Sequence, residues 1–305
     1  MNIKPFLLIM TSATIISSVA QKAEFEQIIR MATMAPSGHN SQPWLFSIHE
    51  NSIVLSPNDN CTLPIVDPHH RELYISLGAA LENLCIAARE YGFAPEPVVQ
   101  ERNLSHRIKV ILIRKNVEKD SLYEQIPLRQ TNRSKFQNVD IDEQKIAMLR
   151  QIQSGSHSKI YFFRNETTSF QSLANLIEQG NNAQMSNNKF KNELLAWMRF
   201  NPKHVSENQD GLTHSVMGMP ALPQFIARPL IKLFLNPKAQ NKADMEKIHS
   251  SSHLVLFTTT QNDPVGWIET GRLLERFLLK TTELGIANAY HNQPCEVPSV
   301  MSMLK

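Results

Sequence analysis

Two short stretches carry residues that could do chemistry. "APSGHNSQPW" (Ala35 to Trp44) puts a hydroxyl (Ser37), two amides (Asn40 and Gln42) and a flat apolar anchor (Trp44) into one turn-rich loop. Such a set suits a planar ligand whose edges need donors and acceptors on both sides. The same spacing also suits a capped helix end with Trp44 in the core, and the loop alone does not choose between them. "RQTNR" (Arg129 to Arg133) puts two guanidinium groups four residues apart, with Thr131 and Asn132 between. Such residues share a helix face, or converge in a turn, and two forked cations beside a hydroxyl make a phosphate clamp. A salt-bridged surface segment reads the same way.

Other chemistries lack their motifs. Ten glycines include no G-x-G-x-x-G or phosphate-binding P-loop, and there is no G-x-S-x-G elbow. "DPHHRE" has adjacent histidines that point apart on any regular element, and no H-x-x-x-H accompanies them, so no metal site is expected. Cys61, Cys85 and Cys295 are widely spaced and odd in number, which gives neither a zinc site nor a disulfide framework. A formal charge of +3 over 305 residues argues against a nucleic-acid binder. With 42% hydrophobic and 19% charged residues, the chain can bury a large core.

The elements that must position the two stretches follow from periodicity and turn signals. "KAEFEQIIRMATMA" has helical spacing and stops at Pro36. "WLFSIHENSIVLSPND" reads as two strands around His49-Glu50-Asn51. Arg71 to Gly92 reads as a long helix that Gly92, Pro95 and Pro97 close. "VVQERN" and "HRIKVILIRK" read as strands, as do "SKIYFFRN" and "SSHLVLFTTTQND". Helical pieces are expected at "SFQSLANLIEQGNNAQ", "KNELLAWMRF" and "PVGWIETGRLLERFLLKTTELG". The irregular segment from His204 to Pro223 is long for a passive connection and reads as a lid. Residues 1–20 are laid out like a cleavable leader, with an apolar run and a small-residue end. Removal would mean an exported protein and retention a cytoplasmic one; an ordinary buried N-terminal element is the alternative. The run is too short to span a bilayer, so no membrane association of the mature chain is expected.

Two helices resemble one another. "GAALENLCIAAREYG" (Gly78 to Gly92) and "GRLLERFLLKTTELG" (Gly271 to Gly285) both bracket fourteen steps with glycine. Leu81 matches Leu274, Glu82 matches Glu275, and Glu90 matches Glu283. This points to a duplication: a leader at 1–20, a first half at 21–119 and a second at 120–305, with a lid insertion at about 200–245.

Taken together, these features resemble the flavin-dependent nitroreductase superfamily. "APSGHNSQPWLF" is similar to its A-P-S-x-x-N-x-Q-P-W segment, and "RQTNRSKF" to its R-x-S-x-R/K-x-F phosphate motif, with Thr131 in place of serine. The motif order is reversed from that of ordinary members, as a fused pseudo-dimer would require. "HRELYISLGAALENLCIAA", "WMRFN…DGL" and "GMPALP" resemble the Acg-like branch. The resemblance implies an α+β fold, with an antiparallel or mixed sheet flanked by helices and duplicated within a monomer. It implies one FMN, with Arg129, Thr131 and Arg133 on the phosphate and ribityl chain and Pro36, Ser37, Gly38 and Asn40 along the isoalloxazine. "IANAYHNQP" is similar to the segment that faces flavin N5, which makes Asn292 and Gln293 candidates. The implied activity is hydride transfer from a nicotinamide donor to a nitroaromatic or quinone-type acceptor, with no catalytic side chain. Implied alternatives are a flavin-sequestering protein without turnover and a degenerate, cofactor-free one. Compared with the family pattern, the chain reads as shortened after "VPSVMSMLK", without a final strand.

Overall fold

A computed structural model of the chain describes residues 19–102, 105–152 and 157–304. The expected leader lies outside them except for residues 19 and 20. Residues 19–32 are helical (α1) and bury Phe25, Ile28 and Ala32, which share one helix face. The hairpin expected around Glu50 forms from β1 (Trp44–His49) and β2 (Ser52–Pro57), with Trp44 opposite Pro57. β3 (Phe93–Arg102) and β4 (Ser105–Arg114) complete an antiparallel sheet in the order β1-β2-β4-β3.

β3 differs from the sequence expectation. Pro95 and Pro97, read as part of a helix stop, lie inside this strand, opposite Leu112 and Val110. An edge strand tolerates them, because one of its rows of backbone groups needs no ladder partner. The helix before it, α2 (Arg71–Glu90), is buried from Leu73 to Ala88 apart from Ile75 and packs on this sheet through Leu77, Leu81 and Leu84.

The rest of the chain builds a second body. α3 (Glu143–Arg150) precedes β5 (Ser158–Arg164), followed by α4 (Thr168–Ser186) and α5 (Asn188–Ala196). The lid region is less irregular than its composition suggests. It and its flanks hold β6 (Met198–Arg199), α6 (Pro202–Asn208), β7 (Leu212–Thr213), α7 (Gln224–Phe234) and α8 (Pro237–His249). β8 (His253–Thr259) pairs antiparallel with β5, and α9 (Pro264–Glu283) follows. A short helix, α10 (Gln293–Glu296), lies near the end. α6, α8 and α9 open alike: the side chains of Asn201, Asn236 and Asp263 accept from backbone N–H groups, and proline takes the first helical position. That position needs no donor, and the proline ring already holds helical φ.

The architecture is mixed α+β, with the antiparallel sheet and the β5–β8 ribbon linked by the crossing of α2 and α9. At that crossing Gly78 and Gly271 meet. A Cβ on Gly78 would overlap the Ile268 carbonyl and come within 3.0 Å of Gly271 Cα. A Cβ on Gly271 would overlap the Ile75 carbonyl and come within 3.0 Å of Ala79 N. Each glycine therefore lies under the carbonyl three residues before the other, an exchange of contacts typical of two-fold related surfaces.

Candidate functional site

All nine site residues expected from the sequence line one continuous cavity of about 2190 Å³ between the two bodies. Three chain segments converge on it.

The first is the loop after α1. Ala35 and Trp44 are buried and anchor its two ends. Between them His39, Asn40 and Gln42 take φ of 51°, 55° and 51°, the left-handed region. Each such residue other than glycine costs on the order of 1 kcal/mol or more, and such strain collects at ligand sites. The turn is closed internally: Gln42 N donates to Ser37 Oγ at 3.0 Å, and Ser41 N donates to Gly38 O at 2.9 Å. Gly38 has little room, since a Cβ there would stand 2.9 Å from the Leu63 side chain. Burial, helped by Arg133, lowers the His39 pKa to about 4, so the ring is neutral at pH 7.

The second segment is 129–133, which is neither a helix nor a turn. It runs extended beside the third segment, with Thr131 bridged to Asn288 and Asn132 N donating to Asn288 O at 2.7 Å. Extended geometry sends the two arginines to different places. Arg129 turns inward: Nη2 donates to Met34 O at 3.2 Å, and Nε stands 3.5 Å from the fully buried Glu275 carboxylate. Arg133 stays at the exposed rim. The two guanidinium groups therefore do not form one fork.

The third segment, 288–293, follows α9. Asn292 accepts from Cys295 N at 2.7 Å and begins α10. Gln293 Nε2 reaches the buried Asp244 at 3.3 Å, beside bonds to that carboxylate from Asn181 (3.1 Å) and Gln240 (2.8 Å). Gly180 on α4 leaves room for this segment, because a Cβ there would come within 2.6 Å of Gln293 Cβ.

Sequence reasoning missed His39, Tyr290 and His291 at the cavity. Tyr290 OH, both ring nitrogens of His291, His39 Nε2, Gln293 Oε1 and Arg129 Nη1 are buried without a hydrogen-bond partner among the described residues. Unsatisfied buried polar atoms are costly, and a polar ligand in the cavity would satisfy them. Burial raises the Tyr290 pKa and lowers that of His291. Burial also lifts the Glu275 carboxyl to about 7, against the pull of Arg129. Glu72 and Glu296 stand within hydrogen-bonding reach of each other on the cavity wall, and burial, together with mutual repulsion, raises Glu72 well above the usual carboxylate range. The signal for Tyr290 and His291 lay in the quoted "ANAYHNQP" itself, whose ring-bearing residues come between the asparagines.

The segment expected to be a lid is hydrogen-bonded to the loop through residues 209–211. Gly211 N donates to Asn40 O at 2.9 Å, Asn40 Nδ2 donates to Gly211 O at 3.1 Å, and Gln42 Nε2 donates to Gln209 O at 2.7 Å. The buried Arg199 holds the lid base, with Nη2 2.6 Å from Asp210 Oδ1. Gly211 takes φ +74°, and a Cβ there would overlap the Trp197 carbonyl and lie 3.0 Å from Arg199 Cζ. This explains the sequence pattern "WMRFN…DGL": the two pieces pair as the parallel strands β6 and β7.

With this geometry in place, comparison with known proteins adds one relationship. The chain is similar to named nitroreductases. Two proteins from two strains of Mycobacterium tuberculosis, each named "Putative NAD(P)H nitroreductase", are 22% identical to it over 278 residues. The alignment covers 88% of this chain and 76% of each relative. No protein-family model matches the chain.

Proposed function

We propose that this protein is an FMN-dependent oxidoreductase of the nitroreductase kind, arranged as an Acg-like internal pseudo-dimer of two related halves. It takes hydride from NAD(P)H and delivers it to a nitroaromatic or quinone-type acceptor. The observation that carries this reading is the convergence of the 35–44 loop, the 129–133 segment and the 288–293 segment on one cavity. The names of the two mycobacterial relatives agree with it, and the glycine exchange at the α2–α9 crossing supports the duplication.

The residues present fit FMN in kind. The strained loop from Pro36 to Asn40 offers backbone and hydroxyl groups to a planar ring, and the orphaned polar atoms of Tyr290, His291 and Gln293 offer edges to its heteroatoms. Arg133, exposed at the cavity rim, can meet a phosphate, with Thr131 beside it, while Arg129 is held inward by Glu275. Bound there, the flavin would supply the hydride relay. The chain's own part is to orient two successive planar substrates and exclude water. No side chain is assigned as catalytic.

One observation favours a second reading, sequestration without turnover. The amides of Asn40 and Gln42 are engaged by the lid, which closes one wall of the cavity. The visible spectrum of the purified protein and its response to NADH or NADPH without oxygen separate the readings. A yellow chromophore that bleaches and is reoxidised by a nitroaromatic is expected. Yellow that does not bleach means sequestration, and a colourless protein that takes up no added FMN overturns both readings.

A further inference from the structure

α7 presents a large apolar face to solvent. Phe225 is 79% exposed, Leu233 75% and Phe234 66%, with Ile226 and Leu230 also exposed. The opposite side of the same helix is integrated into the fold: Ala227 is buried, and Ile231 packs with Leu195, Met198 and Phe200. Leu230 and Phe234 are both exposed and part of the cavity lining, so the outer apolar face runs continuously into the cavity mouth.

The stretch of chain that contains α7 carries charge of one sign. From Gly211 to Ala243 the chain has no Asp or Glu, while Arg228, Lys232, Lys238 and Lys242 all fall there and are exposed. At 100° per residue, Arg228 and Lys232 border the apolar arc on α7 itself. The next exposed acid, Glu246, is paired with Lys135 at 2.7 Å. An amphipathic helix with exposed aromatic and aliphatic residues and flanking cations fits the boundary between lipid headgroups and acyl chains. A second copy of the chain fits less well, because a two-fold contact through α7 would bring Arg228 and Lys232 against their own images. None of the described helices is long and apolar enough to cross a membrane, so the contact is with the surface only.

We infer that α7 docks on an anionic lipid surface and sets the cavity mouth against the bilayer, where a lipophilic acceptor such as a long-chain quinone can enter. The docking stands on α7 alone; the choice of acceptor rests on the reductase reading. Phosphatidylcholine vesicles with and without phosphatidylglycerol, sedimented with the full chain, test the docking. The protein is expected to pellet with the anionic vesicles, and less so as salt rises. Phe225→Ser with Leu233→Ser should lower partitioning about tenfold or more. Both side chains are exposed, so the thermal melt of this variant should match the parent, and its loss of binding then reports on the surface. Arg228→Gln with Lys232→Gln should remove the preference for anionic vesicles.

Recovery of the parent in the supernatant overturns the docking. Vesicle binding unchanged in the Phe225/Leu233 variant does so too. A concentration-dependent dimer that the same variant abolishes overturns it in favour of self-association. Anaerobic bleaching by NAD(P)H, measured without vesicles, reports on the reductase reading separately. If bleaching occurs, a prenylated quinone in anionic vesicles should reoxidise the parent faster than the Phe225/Leu233 variant, and equal rates overturn the bilayer route.

Discussion

Glu82 and Glu275 occupy matching places, each four residues after the glycine at the helix crossing, and both are buried, yet they live in different electrostatic worlds. Glu82 receives Arg272 Nε at 2.8 Å and Arg276 Nη2 at 2.6 Å, and Arg276 also reaches Asp120 at 2.9 Å. Among the described residues Glu275 has one ion-pair partner, Arg129 at 3.5 Å, with the Asn83 side chain beside it. One position is a satisfied ion network that holds the two bodies together. The other is a poorly compensated charge beside the cavity. Buried charge costs little only when paired and hydrogen-bonded. One of these two acids thus serves structure, while the other lies in an environment typical of functional sites.

The largest effect that could break the comparison lies at the crossing itself. Gly78→Val and Gly271→Val should each destabilise the fold by about 3 kcal/mol, because both side chains would overlap a backbone carbonyl. Urea denaturation checks this, and clearly unequal losses would contradict the two-fold relation. Next in size is the pair of acids. Glu82→Gln strands two arginines and should cost about 2 kcal/mol, a figure reduced by their partial exposure. Glu275→Gln should cost under about 1 kcal/mol, since it removes a carboxyl already close to neutral.

The same pair differs with pH. The Glu275 pKa rises from 4.5 to about 7 on folding, so the native state holds the extra proton within that window. Its contribution to stability therefore falls as pH rises from about 4.5 to 7. Urea midpoints of Glu275→Gln relative to the parent should shift in the variant's favour between about pH 5 and about pH 8, and no shift would mean that the acid is ionised throughout.

A smaller effect separates the arginines. Arg133→Ala should weaken FMN retention with a stability change within about 0.5 kcal/mol, whereas Arg129→Ala should also destabilise the fold by leaving Glu275 unpaired. Flavin content after gel filtration, with a melt on the same samples, distinguishes the two. Smallest of all, Tyr290→Phe should leave stability within about 0.5 kcal/mol, because the hydroxyl it removes has no hydrogen-bond partner among the described residues. A marked change in flavin content without a change in melting would place that hydroxyl on the ligand.

Much of the fold was legible because it rests on local chemistry. The helix after Asp263-Pro264, the turn at Glu50-Asn51 and the glycine ends at Gly92 and Gly285 are written within a few residues of where they act, whereas the helices opening at Asn201-Pro202 and Asn236-Pro237 were not expected. The 35–44 loop stood out for the same reason, since its prolines, glycine and amides cannot continue a helix. The resemblance of two helices was visible in one dimension as well. Sequence spacing could not show that Gly78 and Gly271 face each other, nor that Pro95 and Pro97 lie in an edge strand.

What the tertiary structure alone decided is how each polar group is used. Arg129 and Arg133 look equivalent in "RQTNR", yet an extended backbone paired with Asn288 turns one toward buried Glu275 and leaves the other at the rim. The Asn40 amide nitrogen donates to Gly211 O, 171 residues away in the chain. These assignments depend on partners brought from distant parts of the chain, and a side chain's charge, burial and spare hydrogen bonds exist only once those partners are in place.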